Sequence, residues 1–306
     1  MELNKVAIIG MGPSGITAAI YLKRSGITPV CFEQNDIGGK LNILKEIENY
    51  PGYIGDGKGL SEKFIEQIKH FDINVKKEAV QSINKNPDNT FTIKTDAGSY
   101  LFQAVIIATG IREKPFKVPG SEAYFENGIS RCAECDANFH KNRPVAVIGN
   151  SQEAIKDTIY LASICSPVYL INSTSEYKAN KEEVEKLKAL SNVTIYNPYK
   201  IVGSSGQRVI SKLVIENVET KEQKTLDVEG LFIFLGATPM TEFLGYMDIL
   251  DEKGNIAVDE HMKTRVDGLF AIGDIRNAVL RQVITAVSDG GVAAVSARNY
   301  LNSLKK

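Results

Sequence analysis

Short, uninterrupted apolar runs punctuate this chain, and stretches of helical periodicity lie between them. Val6-Ala7-Ile8-Ile9 is the first such run, followed at once by glycine, as expected of a strand buried on both faces. From Pro13 to about Arg24, Ile16, Ala19, Ile20 and Lys23 recur at helical spacing, and Gly26 supplies a stop. Pro29 to Glu33 then predicts a second strand, completing a βαβ unit at the start of the chain. The same plan recurs about 140 residues later: a strand at Val145–Ile148, a helix from about Gln152 to Ser163, and a strand at Val168–Ile171. A third apolar strand, Val105–Ala108, ends in Thr109-Gly110 and has a counterpart at Leu231–Phe234 ending in Leu235-Gly236.

The tail is too short for a third domain. Gly268–Asp274 predicts a strand closing in a Gly-Asp turn, and Arg281 to about Leu304 reads as helix apart from Gly290-Gly291. The expected organisation is therefore discontinuous. Residues 1–113 and 245–306 form one domain, and residues 114–244 form a second, inserted into it. The fold class is α/β, with two Rossmann-like nucleotide-binding folds.

Gly10-Met11-Gly12-Pro13-Ser14-Gly15 sits where that fold holds a dinucleotide. Gly10 permits the tight turn, Gly12 lets backbone approach a pyrophosphate, and Gly15 lets helix and strand pack closely. Pro13 and Ser14 open the helix whose N-terminus favours phosphate charge. Glu33 ends the next strand, eighteen residues after Gly15, where a carboxylate reaches ribose hydroxyls. Asp274, after Gly273, suits a ribityl hydroxyl or the phosphate side, which points to a flavin rather than a nicotinamide. Taken alone, Asp274 is equally a helix cap.

Composition narrows the function by exclusion. The chain has 306 residues, a net charge of −1 and 43% hydrophobic residues, so it gives no general reason to expect nucleic acid or an anionic membrane as partner. No apolar run approaches the ~20 residues that cross a bilayer, and the first strand follows too closely on Met1 for a signal peptide; the cytoplasm is the expected location. Of the four cysteines, Cys132 and Cys135 form a C-x-x-C, while Cys31 and Cys165 read as small buried hydrophobes. Zinc needs two more ligands, and His70, His140 and His261 are scattered, His140 reading as a surface residue. A redox pair fits better: one thiol attacks a partner disulfide and the other resolves it. Arg131 favours the thiolate, Glu134 and Asp136 oppose it, and Asp136 is a candidate proton donor and acceptor, or else a solvated charge.

The first glycine loop, Gly38-Gly39-Lys40-Leu41, Glu48–Gly52, Ala108–Gly110, Cys132–Asp136, Ala271–Asp274 and Arg281-Gln282-Val283 together resemble the low-molecular-weight thioredoxin reductases over essentially the whole chain. The resemblance implies a homodimer that binds FAD and reduces thioredoxin. Within it Cys135 faces the flavin, Cys132 attacks the substrate, and Asp136 is the acid–base group. Gly39, Leu41, Asn49, Thr109 and Gly110 are expected along the FAD. Arg281, Gln282 and Val283 are expected at its isoalloxazine and ribityl side. Lys40 stands where the family commonly has glutamine, so no FAD contact is assigned to it.

The second loop departs from the family. It reads Gly149-Asn150-Ser151-Gln152-Glu153-Ala154, with Ser151 where a second glycine is needed and Glu153 where phosphates would lie. Two like charges about 4 Å apart repel by roughly 4 kcal/mol at surface-like screening. No arginine follows Ile171 until Arg208 to hold a 2′-phosphate, and Asn172 is not the acid that suits NAD. The pattern resembles the pyridine-nucleotide-independent branch, the ferredoxin-dependent flavin thioredoxin reductases. Its acidic donor needs a basic surface, for which Arg112, Lys114, Lys117, Lys141 and Arg143 are candidates. An NADPH-dependent reductase with an atypical loop, a flavin-dependent dithiol oxidase using oxygen, and a flavin redox sensor are the alternatives.

Overall fold

Successive side chains of the strand Leu3–Ile9 point to opposite faces of its sheet, and both faces are covered. Val6 and Ile8 pack into one buried cluster and Ala7 and Ile9 into another. Ala104 and Ile106 alternate in the same way with Val105 and Ile107. This two-sided burial is why these segments are apolar throughout.

The computed structural model describes residues 1–124, 127–245 and 247–305. The chain divides into two units, Met1–Arg112 with Thr238–Lys306, and Glu113–Ala237. In the first, a sheet runs in the order Val75–Lys76, Val30–Phe32, Leu3–Ile9, Ser99–Ile107, Phe91–Thr95, Val80–Lys85. The second half of Ser99–Ile107 also pairs with Leu269–Ala271, so a late segment of the chain joins the first sheet in parallel. One face is covered by the helices Pro13–Arg24 and Val283–Ser303, through Ile16, Ala19, Leu22, Ala293 and Ala297.

The C-terminal helix runs unbroken through Gly290-Gly291, where a break was expected. A Cβ on Gly290 would lie 2.4 Å from the Ser14 carbonyl oxygen and 2.8 Å from Thr17 Cβ. The glycine is there for a close crossing of two helices, and packing offsets its ~1 kcal/mol propensity cost.

The second unit repeats the plan. Five parallel strands lie in the order Ile129–Ser130, Gly230–Ile233, Val145–Ile148, Val168–Ile171, Val193–Tyr196. A three-stranded antiparallel sheet, Tyr199–Gly206, Ile210–Asn217 and Gln223–Asp227, accompanies them. Both units are thus α/β folds of the Rossmann type, and the second is inserted in the first.

Candidate functional site

In the first unit the glycine loop is shaped by three different constraints. Gly10 has φ +95°, and a Cβ there would sit 2.5 Å from the Ala108 carbonyl oxygen; one on Gly15 would sit 2.0 Å from the Gly10 oxygen. Gly12 faces open space, with nothing within 4 Å of an added Cβ. It precedes Pro13 at the start of the helix, and no side chain caps that N-terminus. Open backbone at a positive helix end is an anion site in waiting.

Glu33 is fixed beside it: Oε2 accepts from the Met11 amide at 2.8 Å and Oε1 from the Asn35 amide at 2.9 Å. It borders a cavity of about 340 Å³ lined also by Asp36, Ile37, Val75 and Lys77. Gly38 donates its amide to the Met11 oxygen at 2.8 Å, laying the Gly39–Ile43 turn along the loop. Leu41 anchors that turn in a small core with Ile47 and Leu60, against which Val283 packs.

Candidates far apart in sequence meet here. Asn49 Nδ2 donates to Gln282 Oε1 at 3.1 Å, and Gln282 forms a capping box with Thr285 at the start of the C-terminal helix. Thr109 Oγ1 donates to the Met240 carbonyl at 2.9 Å, and the Gly110 carbonyl accepts from the Met240 amide at 3.1 Å. Asp274 is within 3.6 Å of Lys40 Nζ. Arg281 donates to Asn255 Oδ1 at 2.9 Å, while its buried Nε has no hydrogen-bond partner among the described residues. An open glycine loop at a helix N-terminus, a carboxylate beside it and an unmet buried donor fit FAD.

Sequence reasoning missed the group that holds the Gly273-Asp274 turn. Asp289, buried in the C-terminal helix, accepts from the Gly273 amide at 2.9 Å. It also takes a bidentate pair from Arg276 at 2.6 and 2.8 Å. An aspartate inside an apolar helix run, beside two glycines, was the available signal.

In the second unit Cys132 and Cys135 form a disulfide, their Cα atoms 5.3 Å apart. The single turn Ala133–Asp136 places them, and Cys132 Sγ accepts from the Cys135 amide at 3.2 Å. Cys132 is half-buried and Cys135 exposed; Asp136, half-buried, ends the same turn. Arg131 pairs with Glu113 at 3.6 Å and donates to the Lys114 carbonyl, so its charge is partly offset. His140 is half-buried rather than a surface residue: its ring lies edge-on to Phe232, and a Cβ on Gly230 would come within 3.0 Å of it. Burial lowers its pKa, with Asp136 and Glu229 opposing that shift. Burial pushes the Cys31 thiol up to about 12 and Cys165 to about 11, which leaves both inert. Among the described residues no cluster has the makings of a metal site.

The second glycine loop is closed on itself. Ser151 caps the helix Gln152–Ala162, its Oγ accepting from the Ala154 amide at 3.2 Å. Asn150 donates to Thr174 Oγ1 at 3.3 Å and accepts from the Lys178 amide at 2.8 Å. Gln152 accepts from the Asn180 amide at 2.7 Å and donates to Glu183. Asn172 accepts from the Thr174 amide at 3.2 Å, so the position of the ribose acid serves a local turn. Of the basic candidates, Arg112 pairs with Glu242 and Arg143 with Glu229, while Lys114, Lys117 and Lys141 are exposed.

Comparison with known proteins shows the family. The sequence model described as pyridine nucleotide-disulphide oxidoreductase matches residues 4–290. The chain is similar to a thioredoxin reductase of Helicobacter pylori, 38% identical over 96% of this chain and 98% of the relative. Its structure is similar to the thioredoxin reductase of Streptococcus pyogenes, with TM-score 0.92 and 35% identity over 98% of this chain and 99% of that one. It is also similar to a ferredoxin-flavin thioredoxin reductase from Clostridium acetobutylicum, with TM-score 0.55 and 27% identity over 100% and 99% of the two chains.

The chain therefore belongs to the low-molecular-weight thioredoxin reductases, within the pyridine nucleotide-disulphide oxidoreductase family. It is an FAD-dependent disulfide oxidoreductase whose redox-active disulfide is Cys132–Cys135. No helix among the described residues is long and apolar enough to cross a membrane.

Proposed function

We propose that this chain reduces the disulfide of thioredoxin and draws its electrons from reduced ferredoxin rather than from a nicotinamide. The observation that carries the donor is Ser151. Its side chain occupies the helix N-terminus that a pyrophosphate would use, and Glu153 adds negative charge in the same first turn. Exposed Lys114, Lys117 and Lys141 supply positive charge for an acidic donor.

FAD, when bound, supplies the one- and two-electron chemistry. The candidates around Gly10–Gly15, Glu33, Asn49 and Arg281–Val283 bind and orient it. In the reduced enzyme Cys132 and Cys135 are thiols. The Cys132 thiolate attacks one sulfur of the substrate disulfide and expels the other as a thiolate; Cys135 then attacks Cys132, releasing substrate dithiol and re-forming the Cys132–Cys135 bond. In the disulfide the Cys135 amide donates to Cys132 Sγ, which keeps the two residues in one turn, and Asp136 moves the proton. The working form is a homodimer in the cytoplasm, as the resemblance implies.

A second reading, NADPH as donor, is favoured by the thioredoxin reductases of Helicobacter pylori and Streptococcus pyogenes among the relatives. One anaerobic experiment divides the two. Oxidised holoenzyme is mixed with NADPH, with NADH, or with reduced ferredoxin, and the flavin absorbance is followed. Ferredoxin is expected to bleach it and oxidised thioredoxin to restore it. Rapid bleaching by NADPH overturns the ferredoxin assignment.

A further inference from the structure

The turn that carries the disulfide does not end at Asp136. Ala137–His140 continues it as a tighter helical turn. Ala133 and Ala137, four residues apart, are both buried in one cluster with Phe232 and Phe234. Asp136 and His140 have the same spacing and occupy the neighbouring row, each half-buried at the edge of that core. The imidazole is fixed there. Its ring lies edge-on to Phe232, and a Cβ on Gly230 would come within 2.8 Å of Cε1 and 2.9 Å of Nε2, so only glycine leaves room for it.

Three charges face this ring: Asp136 from its own turn, Glu229 from the residue before the strand Gly230–Ile233, and Arg143 from the loop that follows His140. Burial is the largest influence and favours neutral imidazole; Asp136 comes next and favours imidazolium. Glu229 is paired with Arg143, so these two offset each other. Asp136 is thus the charge left to act on His140, and such coupling is reciprocal. We propose that His140 is a positioning residue for proton transfer at the disulfide: its imidazolium, one turn from Asp136, holds that side chain as the carboxylate that takes the Cys135 proton. The Cys135 thiolate so formed attacks Cys132 in the mixed disulfide. The bond from Cys132 to the substrate sulfur breaks, its electron pair leaves on that sulfur, and Asp136 returns the proton to it. The inference rests on the disulfide exchange described above, with Asp136 as proton carrier, and is independent of which donor reduces the flavin.

The test uses FAD-loaded, full-length protein. Its three histidines, isotope-labelled at Cε1, are followed by NMR in the oxidised form, and His140 is assigned by the signal missing in His140→Phe. In Asp136→Asn the His140 midpoint should fall by about half a pH unit. Chemically reduced protein is then mixed with oxidised thioredoxin, and the exchange rate is measured from about pH 4 to 8. In both His140→Phe and His140→Gln the acid limb should move up by the same half unit, a loss approaching about threefold at its foot. Above the His140 midpoint the rates should meet that of wild type. An unchanged His140 midpoint in Asp136→Asn overturns the proposal. So does slowing by one factor at every pH, which is what a purely structural role would give. If Asp136→Asn exchanges at the wild-type rate, Asp136 is not the proton carrier, and the role of His140 falls with that assignment.

Discussion

The two βαβ units of this chain start from nearly the same loop and end with opposite properties. Both leading glycines are forced: a Cβ on Gly10 or on Gly149 would lie 2.5 Å from a carbonyl oxygen of a neighbouring strand end, Ala108 or Phe234. The loops diverge two residues later. Gly12 leaves backbone bare and no side chain caps the helix, whereas Ser151 fills that place with a methylene and a hydroxyl that takes the Ala154 amide. Glu33 reaches back to its own loop through the Met11 amide, while Asn172 turns to Thr174. A fold can thus require the glycine of its turn for packing alone, whatever the rest of the loop holds. The capping serine stabilises its helix by about 1 kcal/mol relative to alanine, so closure carries no stability penalty.

Gly12→Asp makes the first loop worse than the second and has the largest expected effect. The space beyond Gly12 is open, so the stripped protein should fold with an unchanged unfolding midpoint. The new carboxylate would face the diphosphate, and roughly 4 kcal/mol of repulsion amounts to about a thousandfold in FAD affinity. Fluorescence titration with FAD reads this directly, and a loss below tenfold would mean the diphosphate lies elsewhere.

The reverse experiment opens the second loop. Ser151→Gly with Glu153→Ala removes the capping hydroxyl and the first-turn charge at a stability cost of a few tenths of a kcal/mol for the cap. Nicotinamide dinucleotide binding should rise about ten- to a hundredfold, measured by NADPH fluorescence and by flavin bleaching. No gain would place the defect at Asn172 and the missing arginine instead.

Much of this contrast was legible because it is local. Glycine spacing, the strand before it and the acid after it fall within one short window, and so did Ser151 and Glu153. The misread residues depend on partners far along the chain. His140 is seated by Gly230 and Phe232, about ninety residues away, and nothing beside it reports that slot. Gly290 looked like a helix breaker because glycine signals a break and a close approach with the same letter; only Ser14 and Thr17 across the crossing decide it. The Asp289 clamp was hidden for the same reason, since Arg276 and Gly273 meet it through tertiary contact.

The smallest effect lies one turn down the second helix. Eight residues past the leading glycine the first unit has Ala18, fully buried, and the second has Asp157, partly buried. Burial pushes the Asp157 carboxyl up to about 7 from 3.8, with Glu153 and Glu134 adding to the rise. The folded chain therefore keeps a proton that the unfolded chain releases above about pH 4. Stability contributed at this site is fully present at low pH and is lost as pH rises through 7. Asp157→Asn should leave the unfolding midpoint unchanged near pH 4 and raise it by about 2–4 °C at pH 8, for an effect on the order of 1 kcal/mol after allowance for partial exposure. Midpoints of both proteins across that range decide it. A gain equal at every pH would trace to the amide's packing, and the Asp157 carboxyl would then titrate normally despite its burial.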